Sequence, residues 1–146
     1  MRDGLFNEQT VLLRATPDVR EHYFSSLREE GVDPADALRR DLLMLYPEGP
    51  GSARDQVVKF EQALTAAARR RPGPIRIVAE VLADIEAVGS VAEHLVVEQQ
   101  LAALLRRFPV VMLCAYDVRT TDGGTFVEAL NLTPAIFGRE VRYCLA

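Results

Sequence analysis

The feature that most constrains this chain is a repeated alternation. Four short apolar runs, Thr10–Ala15, Leu42–Tyr46, Ile75–Val81 and Val110–Tyr116, are separated by stretches with helical punctuation and spacing. Antiparallel neighbours can be joined by a tight turn, whereas parallel neighbours need a crossover of a dozen or more residues, usually helical. Runs that are apolar throughout, rather than alternating, are what a parallel sheet covered on both faces requires. The pattern predicts an α/β fold, a three-layer sandwich around a mostly parallel sheet of about five to six strands.

The stretches between the runs carry their own boundaries. Thr16-Pro17-Asp18 ends the first run, and a helix is expected from Asp18 to about Glu30, with Val19, Tyr23 and Leu27 on one stripe and Gly31 beyond its end. Asp33-Pro34 reads as an N-cap followed by proline at the first helical position, opening a short helix through Arg40. Ser52 to Asp55 reads as a capping box with Asp in place of Glu. The helix it opens turns Val57, Phe60, Leu64 and Ala67 inward until Arg71-Pro72-Gly73-Pro74 forbids continuation. Ser90-Val91-Ala92-Glu93 is an S-x-x-E box ahead of a helix to about Arg107, with Val91, Leu95, Glu98, Leu101 and Leu105 at helical spacing. Gly123-Gly124 precede a short helix to about Asn131, and Ala135–Phe137 with Val141–Leu145 are expected to close the fold as strands. With no repeat or linker, a single domain over residues 1–146 is the economical reading.

Composition excludes several classes. No apolar run approaches the ~18–20 residues that span a bilayer, and Met1–Gln9 lacks the apolar core of a signal peptide. Cys114 and Cys144 cannot build a disulfide framework, so a cytoplasmic location is expected. A net charge of −4 makes direct nucleic-acid binding unfavourable, and no membrane association is expected.

Open parallel sheets bind ligands beyond the carboxyl ends of their strands. There the sequence offers Thr16 and Asp18, Tyr46 and Glu48, Glu80 with Asp84, and Tyr116 with Asp117 and Asp122, an acidic rim bearing tyrosines. At the opposite edge come Arg39-Arg40, Arg69-Arg70-Arg71 and Arg106-Arg107, read as cations complementing helix C-terminal dipoles, with carboxylates segregated to the other edge. Glu80 follows a strand interior and is either a desolvated functional carboxylate or a hydrogen-bonded structural one. Glu98 lies in an apolar stripe, where its stem packs on the core and its carboxylate pairs with an arginine. Asp117 either caps the turn after its strand or binds ligand. The candidate ligand-binding set is Glu80, Tyr116, Asp117, Tyr46 and Glu98.

Several chemistries lack their motifs. There is no G-x-x-x-x-G-K-[ST] and no G-x-G-x-x-G, so no amide cradle for phosphate is encoded. His22 and His94 read as lacking carboxylate or cysteine partners at ligand spacing, so no metal site and no cofactor are expected. No serine or cysteine stands in a nucleophile elbow, and catalysis is not expected. The rival reading is a hydrolase using Glu80 and Asp117 as paired carboxylates around Mg²⁺.

A family resemblance rests on ordered segments. Ile77-Val78-Ala79-Glu80 is followed by a helix containing Val97-Glu98, then by Val110 through Arg119, then by Phe126-Val127-Glu128-Ala129-Leu130 and Thr133-Pro134. Upstream, Glu29-Glu30-Gly31-Val32-Asp33, Ala37-Leu38 and the Leu42–Tyr46 run also fit. This order resembles the MEDS domain, the sensory domain of dichloromethane-regulator-type proteins, with Leu113–Asp117 as the most specific segment. Thr133 stands where the family typically has histidine, and Ala115 where glutamine is common. The resemblance implies a RecA-like domain without a P-loop that senses a small, weakly polar ligand or a regulatory protein such as a kinase or anti-sigma factor. Aligned this way, the chain begins after the family's first strand–helix unit. Leu5-Phe6 would plug part of that gap, and a homodimer with Leu12 or Leu43 near the contact would cover the rest.

Overall fold

The computed structural model describes residues 1–47, 49–117, 123, 124 and 127. The elements in order are helix α1 (Arg2–Phe6), strand β1 (Thr10–Arg14), helices α2 (Pro17–Glu29) and α3 (Pro34–Arg39), and strand β2 (Leu43–Leu45). Helix α4 (Ala53–Arg70), strand β3 (Ile75–Glu80), helices α5 (Val81–Val88) and α6 (Val91–Leu105) and strand β4 (Val110–Ala115) follow. Every pairing is parallel, in the order β2-β1-β3-β4. The four strands among the described residues are fewer than the expected five to six, and the expected closing pair falls outside those residues.

The strand order decides where the helices lie. The chain steps from β1 outward to β2, then back across β1 to β3 and on to β4. Because βαβ crossovers share one hand, that reversal puts α2 and α3 on one face and α4, α5 and α6 on the other. Two separate apolar clusters match this division. Val11, Leu13, Leu43 and Val78 pack with Leu5, Phe24, Leu27 and Ala37, whereas Leu12, Ile75, Ile77 and Met112 pack with Phe60, Leu64, Val97 and Leu101. Alternate residues of β1 thus feed different cores, and so the run TVLLR is buried at every position. Each of its Val and Leu side chains contributes about 1.5–3 kcal/mol on leaving water.

Local signals account for most boundaries. Ser52 and Asp55 complete the reciprocal box at the start of α4, with Asp55 N donating to Ser52 Oγ at 3.2 Å and Ser52 N to Asp55 Oδ2 at 3.0 Å. Asp33 accepts from Ala35 N at 2.9 Å, and Ser90 from Glu93 N at 3.2 Å. Helix α5 was not expected. The run at Ile75 reads as strand through Val81, but β3 ends at Glu80 and the chain turns helical without a loop until Gly89, whose φ of 83° stops it. Leu-Ala-Asp-Ile-Glu-Ala is a helix-forming sequence hidden behind a β-branched valine that extends the strand pattern.

Three further expectations are corrected. Leu12 and Leu43, expected near a contact between copies, are 0% and 1% exposed within the chain itself, so neither presents its side chain at the surface. Leu5 does fill an apolar gap, yet Phe6 stays 62% exposed, because the single turn of α1 directs only one of the two inward. The arginine edge carries its own carboxylates: Arg40 pairs with Glu8 at 2.8 Å, Arg70 with Asp41 at 2.6 Å and Arg107 with Glu61 at 2.6 Å. Among the described residues, no helix is long and apolar enough to cross a membrane.

Candidate functional site

The connection leaving β1 runs toward β2 and the connection leaving β3 runs toward β4, so the carboxyl ends of β1 and β3 flank a switch point. Beside it, across the carboxyl ends of β1 and β2, a cleft of about 220 Å³ opens, lined by Arg14, Ala15 and Thr16 from the end of β1, by Leu45 and Tyr46 from the end of β2, and by Ala83, Glu86 and Ala87 of α5. Gly49 and Pro50 of the following loop complete its wall. That loop is strapped down: Gly51 N donates to Ala87 O at 3.0 Å, while Gln56 Nε2 and Lys59 Nζ donate to Gly49 O at 3.1 and 2.9 Å. Gly49 sits at φ 120°, a conformation that side-chain-bearing residues rarely adopt.

Arg14 is the central residue. As the last residue of a strand whose neighbours feed the two cores, it is 6% exposed, and burying a guanidinium demands partners. Its Nε pairs with Asp84 Oδ1, its Nη2 lies 3.4 Å from Ala83 O and 3.5 Å from Gln56 Oε1, and its guanidinium stacks 4.1 Å above the Tyr46 ring. Tyr46 in turn donates its hydroxyl to Gln56 O at 2.7 Å, and its phenol is pushed well above the ordinary range by burial. Beside Arg14, Glu80 Oε2 accepts from Thr16 N at 2.8 Å and from Thr16 Oγ1 at 3.2 Å, tying β3 to the start of α2.

Behind Arg14 lies a second layer of charge. Asp84 of α5 and His94 and Glu98 of α6 are 8%, 0% and 4% exposed. Burial raises the Asp84 carboxyl to about 6, against the opposing pull of Arg14, and raises Glu98 to about 7, with Asp84 adding to the effect. Burial first and Arg14 second lower His94 to about 4, so it is neutral at physiological pH. The Cys114 thiol and the Tyr116 phenol are likewise pushed up, first by burial and then by Glu98.

Of the residues read from sequence, Tyr46 stands in the cleft wall. Glu80 is one hydrogen bond behind it through Thr16. Ala115 pairs with Glu80 in register, so Tyr116 and Asp117 follow at the same edge of the sheet, beside the cleft rather than in its wall. Glu98 is on the buried face of α6, where His94 lies 3.8 Å from it in place of the arginine expected. Glu48, Asp122 and Thr133 lie outside the described residues. The acidic rim needs correcting as well, since Arg14 and Arg20 both stand in the cleft wall.

Two things escaped the sequence reading. Arg14 sits inside an apolar run, where it reads as part of a strand; its signal is a single charge at the last position of a buried strand. His94 and Glu98 are four apart on one helix, on the same face as Leu101 and Leu105, and that spacing contradicts the expectation that His94 has no carboxylate near it.

A family model described as MEDS, the methanogen/methylotroph DcmR sensory domain, matches residues 1–134 of the 146. The chain belongs to the MEDS family. As a MEDS domain it belongs to a family of sensory domains, and the match takes in α1 and the whole described sheet. No curated protein and no solved structure matches this MEDS chain.

Proposed function

We propose that this domain is a non-catalytic sensor, that the cleft at the carboxyl ends of β1 and β2 holds a small, weakly polar ligand, and that occupancy is relayed to a regulatory partner protein. The observation that carries the reading is the buried Arg14 in the wall of a cleft beside the sheet's switch point. About 220 Å³ is below the ~300–1,000 Å³ usual for drug-sized ligands, which favours a molecule of a few heavy atoms. Two arginines, Arg14 and Arg20, against a single carboxylate, Glu86, with the Thr16 hydroxyl and apolar surface from Leu13, Leu45, Tyr46 and Ala83, suit a ligand with one polar or anionic end. Asp84 is engaged by Arg14 and Glu80 by Thr16, while Glu86 of the cleft wall is exposed to solvent, which favours binding over hydrolysis by Glu80 and Asp117. The two strands and the helix that meet at the cleft also carry both cores, so a ligand there can bias the packing of either face.

Thermal unfolding in the presence of small haloalkanes, alcohols and short carboxylic acids tests this, comparing the natural chain with Ala87→Phe, which fills the cleft. At least one class is expected to raise Tm in the natural chain and to leave A87F unmoved. Equal shifts in both proteins, or none in either, would sink the proposal.

A further inference from the structure

The cluster behind Arg14 has a feature that a stability role does not explain. His94 is fully buried, and neither of its ring nitrogens has a hydrogen-bond partner. Buried polar groups are ordinarily satisfied, and leaving a donor and an acceptor both unmet is costly. The ring is nevertheless directed at carboxyl groups: Nε2 lies 3.8 Å from Glu98 Oε1, and one ligand atom from each of Asp84, His94 and Glu98 lies within 4.8 Å of the others.

We propose that Asp84, His94 and Glu98 form a binding site for one divalent transition-metal ion of the zinc class. An imidazole with two carboxylates is a donor set that such ions take in preference to Mg²⁺ or Ca²⁺, which seek oxygen alone. Tetrahedral Zn²⁺ holds its ligand atoms about 3.3 Å apart, so the three groups need only small side-chain rotations to close on an ion. The fourth tetrahedral position is left for solvent. Both helices hold the donors rigidly: Asp84 is in the first turn of α5, and His94 and Glu98 are one turn apart on α6. The cleft is the way in, because Arg14 and Ala83 line it and Asp84 adjoins both.

The chemistry of uptake is balanced. The ion gains bonds to a carboxylate oxygen of Asp84, a nitrogen of neutral His94 and a carboxylate oxygen of Glu98. A proton carried by either carboxyl leaves to solvent as the ion binds, because the carboxylate is the ligating form. Asp84 has two oxygens, one for the ion and one for Arg14, so the ion bears on the cleft wall through Arg14. This site goes beyond the sensory reading and stands whether or not the cleft takes an organic ligand.

The test is calorimetric titration of the full chelator-treated chain with Zn²⁺ alone, in buffers of differing ionisation enthalpy, with X-ray absorption at the zinc edge. The expected result is one ion per chain and a spectrum fitted by one imidazole with oxygen donors. Glu98→Gln, which keeps the shape of the protonated side chain, should weaken binding at least tenfold, and His22→Gln, at an exposed position, should leave it unchanged. Absence of uptake, undiminished uptake by E98Q, loss of uptake in H22Q, or a zinc environment containing sulfur or lacking imidazole would each overturn the proposal. The absorption spectrum is read on the natural chain, so it decides the matter even where E98Q does not fold.

Discussion

The two edges of the sheet are built from the same residue types and behave oppositely. At the amino edge, Arg40 with Glu8 and Arg70 with Asp41 form ion pairs in which every partner is at least 50% exposed. At the carboxyl edge, Arg14 and Asp84 form the same kind of pair with side chains only 6% and 11% exposed. Exposed pairs exchange one solvated arrangement for another and are worth roughly 0–1 kcal/mol. Buried ones must recover the loss of hydration from their partners, so removing one partner is far more costly than the pair itself is favourable. Burial, not residue type, therefore separates an edge that keeps the surface solvated from one that stores ionisation energy beside a cleft.

Four substitutions can break or sharpen that contrast. The largest effect is expected for Arg14→Met, which leaves Asp84 buried without its cation and should cost about 3 kcal/mol at pH 8. Arg14 holds the Asp84 carboxyl down, so without it the group takes a proton more readily and the loss should shrink toward pH 5. Urea unfolding at the two pH values checks it, and equal losses under 1 kcal/mol would erase the distinction between the edges.

Next comes Glu98→Gln in the metal-free protein. The Glu98 carboxyl rises from 4.5 to about 7 on folding, so its contribution favours the fold below the unfolded value and is lost as pH climbs through 7. An amide that cannot ionise should stabilise the chain by about 2 kcal/mol at pH 8 and by little at pH 4. Chemical denaturation with chelator present would contradict this by showing destabilisation at pH 8.

Thr16→Val removes the 3.2 Å hydroxyl bond to Glu80 and keeps the backbone one, so a loss of about 1 kcal/mol is expected. Hydrogen exchange at the start of α2 should quicken with it, whereas unchanged protection there would detach Thr16 from the site. The smallest effect belongs to the amino edge. Arg70→Ala should move stability by no more than about 0.5 kcal/mol, and 1 M salt should abolish even that; a loss above 1.5 kcal/mol would mean that this edge too stores energy.

Much of the site lay outside what linear reading reaches. Tyr46, Glu80, Tyr116 and Asp117 were legible because each falls just past a recognisable strand end, and strand ends share an edge in a parallel sheet. Arg14 was not, because one charge does not disturb the apolar count of a buried run. Glu98 was legible as an oddity in an apolar stripe, but an arginine was the natural partner to expect for it. Its actual neighbours are His94, one helical turn away, and Asp84, on a helix that the strand pattern concealed.

What the sequence by itself determined is the α/β class and its parallel strands, since run length, spacing, proline stops and the Ser52 box act locally and need no knowledge of the rest. Family membership was likewise carried in the linear order of short segments. Only the tertiary structure decided the strand order β2-β1-β3-β4, and with it which strand ends flank the cleft and which charges are buried behind it. The reason is physical: helix and strand signals extend over a few residues, whereas desolvation of Arg14, Asp84, His94 and Glu98 depends on surfaces brought together from 14 to 98 along the chain.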